Sequence, residues 1–217
     1  SDKAMRPLPR GLIAGSDTSW LEPHGFRYAG LSPFKPAYMV PEPDADLTGD
    51  LPPYEYALYE GASQWRASAP AKILARLGEP LFQRSAQRYT SHAQTPFERL
   101  TEYAALAVAP RVALLAFPVG QSYFNPGYWI YRNAFFRARD ALLPTRLIRS
   151  NAPLSTEITL THQPARATGQ HPERFLIHVV NFSQVRATPK HPAFHEDPIP
   201  LADVRIVFHA GRQPARA

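Results

Sequence analysis

The feature that most limits what this chain can become is its proline: 24 residues of 217, spread along the whole length and not gathered into one tract. Each proline fixes φ and lacks an N–H, so it interrupts a helix interior or a central strand. Long unbroken elements are thereby disfavoured, and the prolines read as punctuation at loops and strand ends of an irregular α/β fold. With 44% hydrophobic residues in short patterned runs, the chain still has the material for a packed core. Its length suits one large domain, or one medium domain and a small one.

The absence of cysteine removes disulfides, thiolate nucleophiles and cysteine metal sites together. It fits a reducing compartment, and the cytoplasm is the expected location. No run approaches the roughly 18 apolar residues of a membrane span, so no membrane partner is expected. Ser1 to Arg10 has no apolar core and does not resemble a signal peptide. The net charge of +6 is carried mostly by scattered arginines. Arg132, Arg137, Arg139, Arg146 and Arg149 could form a basic surface, but the solvated side of a helix explains them equally well, and no nucleic-acid partner is expected.

Along the chain, Gly11 to Gly15 reads as a buried strand running into the polar loop Ser16-Asp17-Thr18-Ser19. Residues 21–53, rich in Pro, Gly and aromatics, read as a long irregular excursion with room for a short strand. Tyr54 to Tyr59 alternates like a strand. The pattern then predicts a helix over Ser68 to Leu77: Ser68 as cap, Pro70 in the first turn, Ile73, Leu74 and Leu77 on one face, Gly78 as terminator. Residues 103–109 and 111–117 are apolar segments around Pro110, the second a buried strand. A clearer helix follows, with Gly127, Tyr131, Ala134, Phe135, Ala138 and Leu142 at spacings of three and four, stopping before Pro144. Strands alternating with helices imply a layered α/β domain.

Beyond Pro144 the helical period vanishes. Leu154 to His162, Arg174 to Phe182 and Val204 to Phe208 read as strands separated by turn-forming stretches, which is the pattern of a small antiparallel β domain. The boundary falls near Asn151. Both ends look cut, because strand-like segments begin almost at once and stop just before the last residues.

The order of these segments carries a resemblance. Ile73-Leu-Ala-Arg76, Glu79-Pro-Leu-Phe-Gln-Arg84 and Ser91-His-Ala-Gln-Thr-Pro96 come first, then a buried strand and the helix Trp129 to Leu142. Leu142 to Pro153, Thr156 to Leu160, Phe175 to Phe182 and Pro198 to Val204 complete the series. From about Gly11 onward the chain resembles the C-terminal part of glycoside hydrolases of the α-L-fucosidase and β-galactosidase group. There a catalytic TIM barrel is followed by a β-galactosidase trimerisation domain of class-I glutamine-amidotransferase-like fold and then a small β-sandwich. The resemblance implies an N-terminally truncated amidotransferase-like domain over residues 1–150 and a C-terminally truncated β-sandwich over 151–217. A (β/α)8 barrel needs about 250 residues, more than this chain has. The amidotransferase thiol is missing too, so glutaminase chemistry is excluded.

The resemblance therefore implies an accessory and oligomerisation region of a glycosidase. Its partners would be the barrel of the same polypeptide, further copies in a homo-oligomer, and carbohydrate. The isolated chain is expected to be inactive. The alternative is a free-standing carbohydrate- or protein-binding module without enzyme activity.

Retaining glycosidases hold two carboxyl groups about 5–5.5 Å apart, and nothing in the spacing of Asp17, Glu22, Glu55, Glu60, Glu79, Glu98 and Glu102 nominates a catalytic pair. Glu98 and Glu102 fit the solvated face of a helix. The richest cluster is Ser91-His92 with Gln94. Ser91, His92 and Gln94 could hydrogen-bond sugar hydroxyls at the rim of the barrel's site. The same stretch could cap a helix, with Thr95 as N-cap, Pro96 first and Glu98 third. Both can hold at once. A Ser16-centred esterase lacks Gly-x-Ser-x-Gly and any tied histidine. His191, His195 and Glu196, or His162 and His178, have no specific metal spacing, so neither metal nor cofactor is expected. Asn181-Phe-Ser183 fits a glycosylation sequon but sits in a strand pattern. Trp20 and the tyrosines and phenylalanines of the first quarter serve a core, an oligomer interface or sugar stacking.

Overall fold

The computed structural model describes residues 17–43, 53–125, 127–165, 172–182 and 199–209. It divides into two compact units, Ser1–Pro144 and Thr145–Ala217. The described elements are mostly strands, every pairing is antiparallel, and two α-helices lie next to each other in sequence. The expected alternation of strand and helix does not appear among the described residues. The strand at Gly11 to Gly15 lies outside them.

The described part of the first unit begins with a 3-10 turn, Ser19–His24, and the strand β1, Phe26–Leu31. After β2 (Ala37–Pro41) and β3 (Tyr56–Leu58) comes β4 (Ser63–Ala67), which returns to pair with β1. The excursion expected over 21–53 is thus largely ordered in its described part. Of its aromatics, Phe26 and Tyr38 are buried and Tyr28 and Phe34 half-buried. A five-stranded sheet in the order β3-β2-β5-β6-β7 fills the centre, with β5 at Lys72–Pro80, β6 at Phe97–Ala109 and β7 at Val112–Leu115.

Two expected helices are strands. The stretch 68–77 contributes to β5, whose two neighbours decide the matter: β2 on one side (Met39 opposite Leu77) and β6 on the other (Ile73 opposite Ala107). A central strand is buried on both faces, so it reads as a near-continuous apolar run that also satisfies a helical template. Leu74, Ala75 and Leu77 are all buried. The helix expected after Thr95 is instead the start of β6, where Phe97 pairs with Pro80 and Arg99 with Glu79. Glu98 and Glu102 therefore stand on a strand, four residues or about 13 Å apart.

The helices α1 (Val119–Phe124) and α2 (Trp129–Leu142) follow β7. In α2, Ile130, Tyr131, Ala134 and Ala138 are buried at spacings of one, three and four, and the helix ends before Pro144. Phe135, placed on the apolar stripe by sequence, is 46% exposed, whereas Ile130 is 1% exposed and takes its place. One hydrophobic cluster joins α2 to Met39, Leu58, Leu77 and Leu106 of the sheet, and a second joins Phe26 and Trp65 of the β1–β4 ribbon to Ala104, Ala107 and Leu114. Each fully buried Ile- or Leu-sized side chain contributes about 1.5–3 kcal/mol.

Among the described residues the second unit holds two antiparallel pairs: β8 (Ile148–Ser150) with β11 (Ile206–Phe208), and β9 (Thr156–Gln163) with β10 (Arg174–Asn181). Phe175 and Phe208 touch, with ring centroids 5.1 Å apart, and link the two pairs. The face of β9–β10 that carries Ile158, Leu160, Phe175, Ile177 and Val179 stays partly open, Val179 being 47% exposed. His162 lies opposite Phe175 and His178 opposite Thr159, so the two histidines stand on opposite faces. His191, His195, Glu196 and Ser183 fall outside the described residues.

Candidate functional site

Ser91, His92 and Gln94 belong to the connection 81–96 between β5 and β6, a loop whose ends are held together at the sheet. The Leu81 N–H donates to Pro96 O (2.9 Å), and one turn further in the Thr95 hydroxyl donates to Phe82 O (2.9 Å). Thr95 is thus used to close the loop and not to cap a helix. Compact surface loops with adjoining ends are a common home for binding residues.

Inside the loop, Ser85 makes a turn. Its N–H donates to Arg88 O (2.8 Å), and its hydroxyl accepts from the N–H groups of Gln87 and Arg88 at 3.3 and 3.2 Å. The Thr90 hydroxyl reaches His92 O (2.9 Å) and Gln94 O (3.2 Å), folding the tip back on itself. Such local bonds supply the backbone with partners that a sheet ladder otherwise provides.

Three contacts fasten this loop to β2 and to the residues just before β2 and just after β3. Gln83 grips the backbone of Lys35 twice, accepting from its N–H at 2.9 Å and donating to its carbonyl at 3.1 Å. The Tyr59 hydroxyl donates to Gln94 Oε1 (3.1 Å), and the buried Tyr38 hydroxyl donates to Thr95 O. Lys35 is itself tied to Glu60 (3.5 Å), which also accepts from Gln121 (3.3 Å) and from Asn125 (2.6 Å). Glu60 therefore connects Lys35, the loop's anchor just before β2, to α1.

The structure separates the three sequence candidates. Gln94 is half-buried and committed to Tyr59, whereas Ser91 and His92 are exposed at the tip. No hydrogen bond joins Ser91 to the His92 ring among the described residues, so the pair does not form a nucleophile and base. Beside them Tyr89 is 72% exposed, and Arg88 lies 4.1 Å over the Phe82 ring. The segment 81–96 contains no acidic residue. It offers hydroxyl, imidazole and guanidinium groups and an aromatic face, and no carboxylate acid–base pair. Among the described residues no three His, Asp or Glu side chains gather as metal ligands. The anchors Gln83, Lys35, Tyr59 and Glu60 were not legible beforehand, because each contact spans a long stretch of chain.

No protein-family model matches the chain, and a search of curated proteins returns no match. Among solved structures, the α-L-fucosidase isoenzyme 2 from Paenibacillus thiaminolyticus matches 86% of the chain with a TM-score of 0.71 and 26% sequence identity. The fold is similar to that of a region of an α-L-fucosidase. The chain spans 27% of that enzyme's length. The resemblance drawn from segment order thus finds a counterpart in three dimensions, at the level of a fucosidase-like, glycoside-hydrolase-related region. No described helix is long and apolar enough to cross a membrane.

Proposed function

We propose that this chain is a non-catalytic accessory and oligomerisation region of a glycoside hydrolase acting on fucosides or galactosides, whose catalytic barrel lies elsewhere in the same polypeptide. The observation that carries this reading is the match of 86% of the chain to 27% of an α-L-fucosidase. In it, the first unit is the trimerisation-type domain and the second, which begins before β8 and not at residue 151, is the β-sandwich. The partly open apolar face of β9–β10 supports the packing of a further element of the parent against it.

The loop 81–96 forms part of the rim of the sugar site. Ser91 and His92 face the sugar, with the exposed Tyr89 ring beside them as a stacking surface. Gln94 acts on the frame, holding the tip through Tyr59. A loop fixed at both ends and in the middle loses little freedom on binding, so the hydrogen bonds it makes are not offset by ordering entropy.

The test begins with the coding sequence upstream of Ser1. An open frame encoding a (β/α)8 pattern with acidic residues at strand ends, and hydrolysis of an aryl α-L-fucoside or β-galactoside by the extended polypeptide but not by the 217-residue chain, supports the proposal. Hydrolysis by the chain alone refutes it. A start codon at or near Ser1 leaves the free-standing binding module.

A further inference from the structure

Arg27, Arg66, Arg76, Arg99 and Arg139 of the first unit each form an ion pair with a carboxylate. Arg84 and Arg88 differ. Both are exposed on the loop 81–96, and among the described residues neither meets a carboxylate. The acidic residues nearest to the loop in sequence, Glu79 and Glu98, stand with Arg99: Glu79 holds it at 2.7 Å, and Glu98 precedes it on β6. Glu60, tied to the loop's anchor Lys35, also serves Gln121 and Asn125. Two positive charges on the loop are thus left without a counter-charge.

The turn at Ser85 sets these arginines beside the exposed Tyr89. The bond from the Ser85 N–H to Arg88 O reverses the chain over 85–88, so Arg84 and Tyr89, which flank the reversal, become neighbours across it. Arg84 directly follows Gln83, whose amide grips the Lys35 backbone twice. Arg88 is steadied by Phe82, its guanidinium lying 4.1 Å over that ring. Stacking occupies the flat face of a guanidinium, whereas its N–H groups lie in the plane and remain for an acceptor.

We propose that the loop 81–96 reads an anionic substituent, a sulfate or a carboxylate, on the sugar, with Arg84 and Arg88 as its specificity-determining residues. This inference rests on the reading of the loop as part of a sugar rim. Guanidinium groups bind such oxyanions through paired N–H bonds, and here no carboxylate of the chain competes for them. The Tyr89 ring offers a stacking face to the C–H side of the same sugar, and Ser91 and His92 supply groups that bond its hydroxyls. Those three residues alone accept a neutral fucoside or galactoside equally well, so the arginines narrow the class to acidic or sulfated glycosides. A nucleic-acid strand needs a longer charged track along successive phosphates, which two arginines on one short loop do not supply.

The test is NMR titration of the isotope-labelled full chain, followed at the amides of residues 82–95, at about 0.05 M ionic strength, where surface attraction is little screened. The probes are monosulfated galactose, galacturonic acid, neutral galactose and inorganic sulfate. A charged sugar should shift the loop amides and bind at least about tenfold tighter than galactose or inorganic sulfate, and the tighter of the two charged sugars identifies the anionic group. Arg84→Gln and Arg88→Gln should each weaken that binding about fivefold or more. Arg27→Gln, which removes an equal charge outside the loop, should leave it unchanged. Arg84 makes no side-chain hydrogen bond or ring contact among the described residues, so its variant decides the question if loss of the Phe82 stack loosens the Arg88 variant. Galactose binding at the loop as tightly as the charged sugars, or binding that Arg84→Gln leaves unchanged, would overturn the proposal and leave the sugar rim standing. Inorganic sulfate binding as tightly as sulfated galactose, tighter binding of single-stranded DNA, or loop amides that no sugar shifts would overturn the proposal and the rim together.

Discussion

Replacing Gly78 by alanine should destabilise the first unit, although alanine is ordinarily the better residue within a strand. Gly78 is buried in β5, opposite Tyr38 on one side and Leu100 on the other. A Cβ at this position would fall 2.6 Å from Phe97 Cε2 and 3.2 Å from both Phe97 Cδ2 and Tyr38 Cβ. The Phe97 ring is not free to swing away, because it packs edge-on against Tyr38 with centroids 5.7 Å apart. It also directly follows Pro96, whose carbonyl closes the base of the loop 81–96. Overpacking a filled site costs about 1–3 kcal/mol, and alanine regains about 0.5–1 kcal/mol of backbone entropy. Taking the middle of each range, the net loss is about 1.2 kcal/mol, or a fall in melting temperature of roughly 2–5 °C for a chain of this size. Urea denaturation followed by tryptophan fluorescence reads it directly. Gly120→Ala is the control: nothing lies within 4 Å of its added Cβ, so the helix α1 should gain up to about 1 kcal/mol. If Gly78→Ala proves as stable as the parent chain, Phe97 is not fixed in the way its packing against Tyr38 implies, and the loop base is softer than described.

Two further perturbations test the core and the loop. Burial pushes the Tyr131 phenol far above its ordinary value, while its hydroxyl donates to Ala57 O. A phenol raised in the folded state contributes stability that is complete below the unfolded value of about 10 and declines as pH rises beyond it. Urea midpoints should therefore fall above about pH 10, Tyr131→Phe should flatten that decline, and at neutral pH the variant should cost about 1–2 kcal/mol for the unpaired carbonyl; an unchanged alkaline profile would show that another group controls it. Gln83→Ala removes both bonds to the Lys35 backbone, and Tyr59→Phe removes the anchor of Gln94. Each should cost about 0.5–1.5 kcal/mol and speed amide exchange in residues 82–95 while leaving that of β6 unchanged; exchange that does not change in the loop would show that these contacts do not hold it.

What could be read from the sequence alone was whatever depends on neighbours in the chain. The stripe around Tyr131, Ala134 and Ala138 and the proline at 144 specify α2, because a helix satisfies its hydrogen bonds within a few residues. The alternation over 154–162 specifies β9 for the same local reason, the period of two, and the run of Phe, Ile and Val over 174–182 specifies β10. The strands of the central sheet were decided differently. Ser68, Pro70, Ile73, Leu74, Leu77 and Gly78 meet every local criterion for a capped helix, yet β5 is a strand because β2 and β6 supply its ladder from both sides and two hydrophobic clusters close over it. Segment order pointed to a fucosidase-like region before any coordinates, since order survives where single motifs do not. The candidate site divides along the same line. Ser91, His92 and Gln94 stood out by residue type, but only the tertiary structure could bring Tyr59 within hydrogen-bonding distance of Gln94 from 35 residues away.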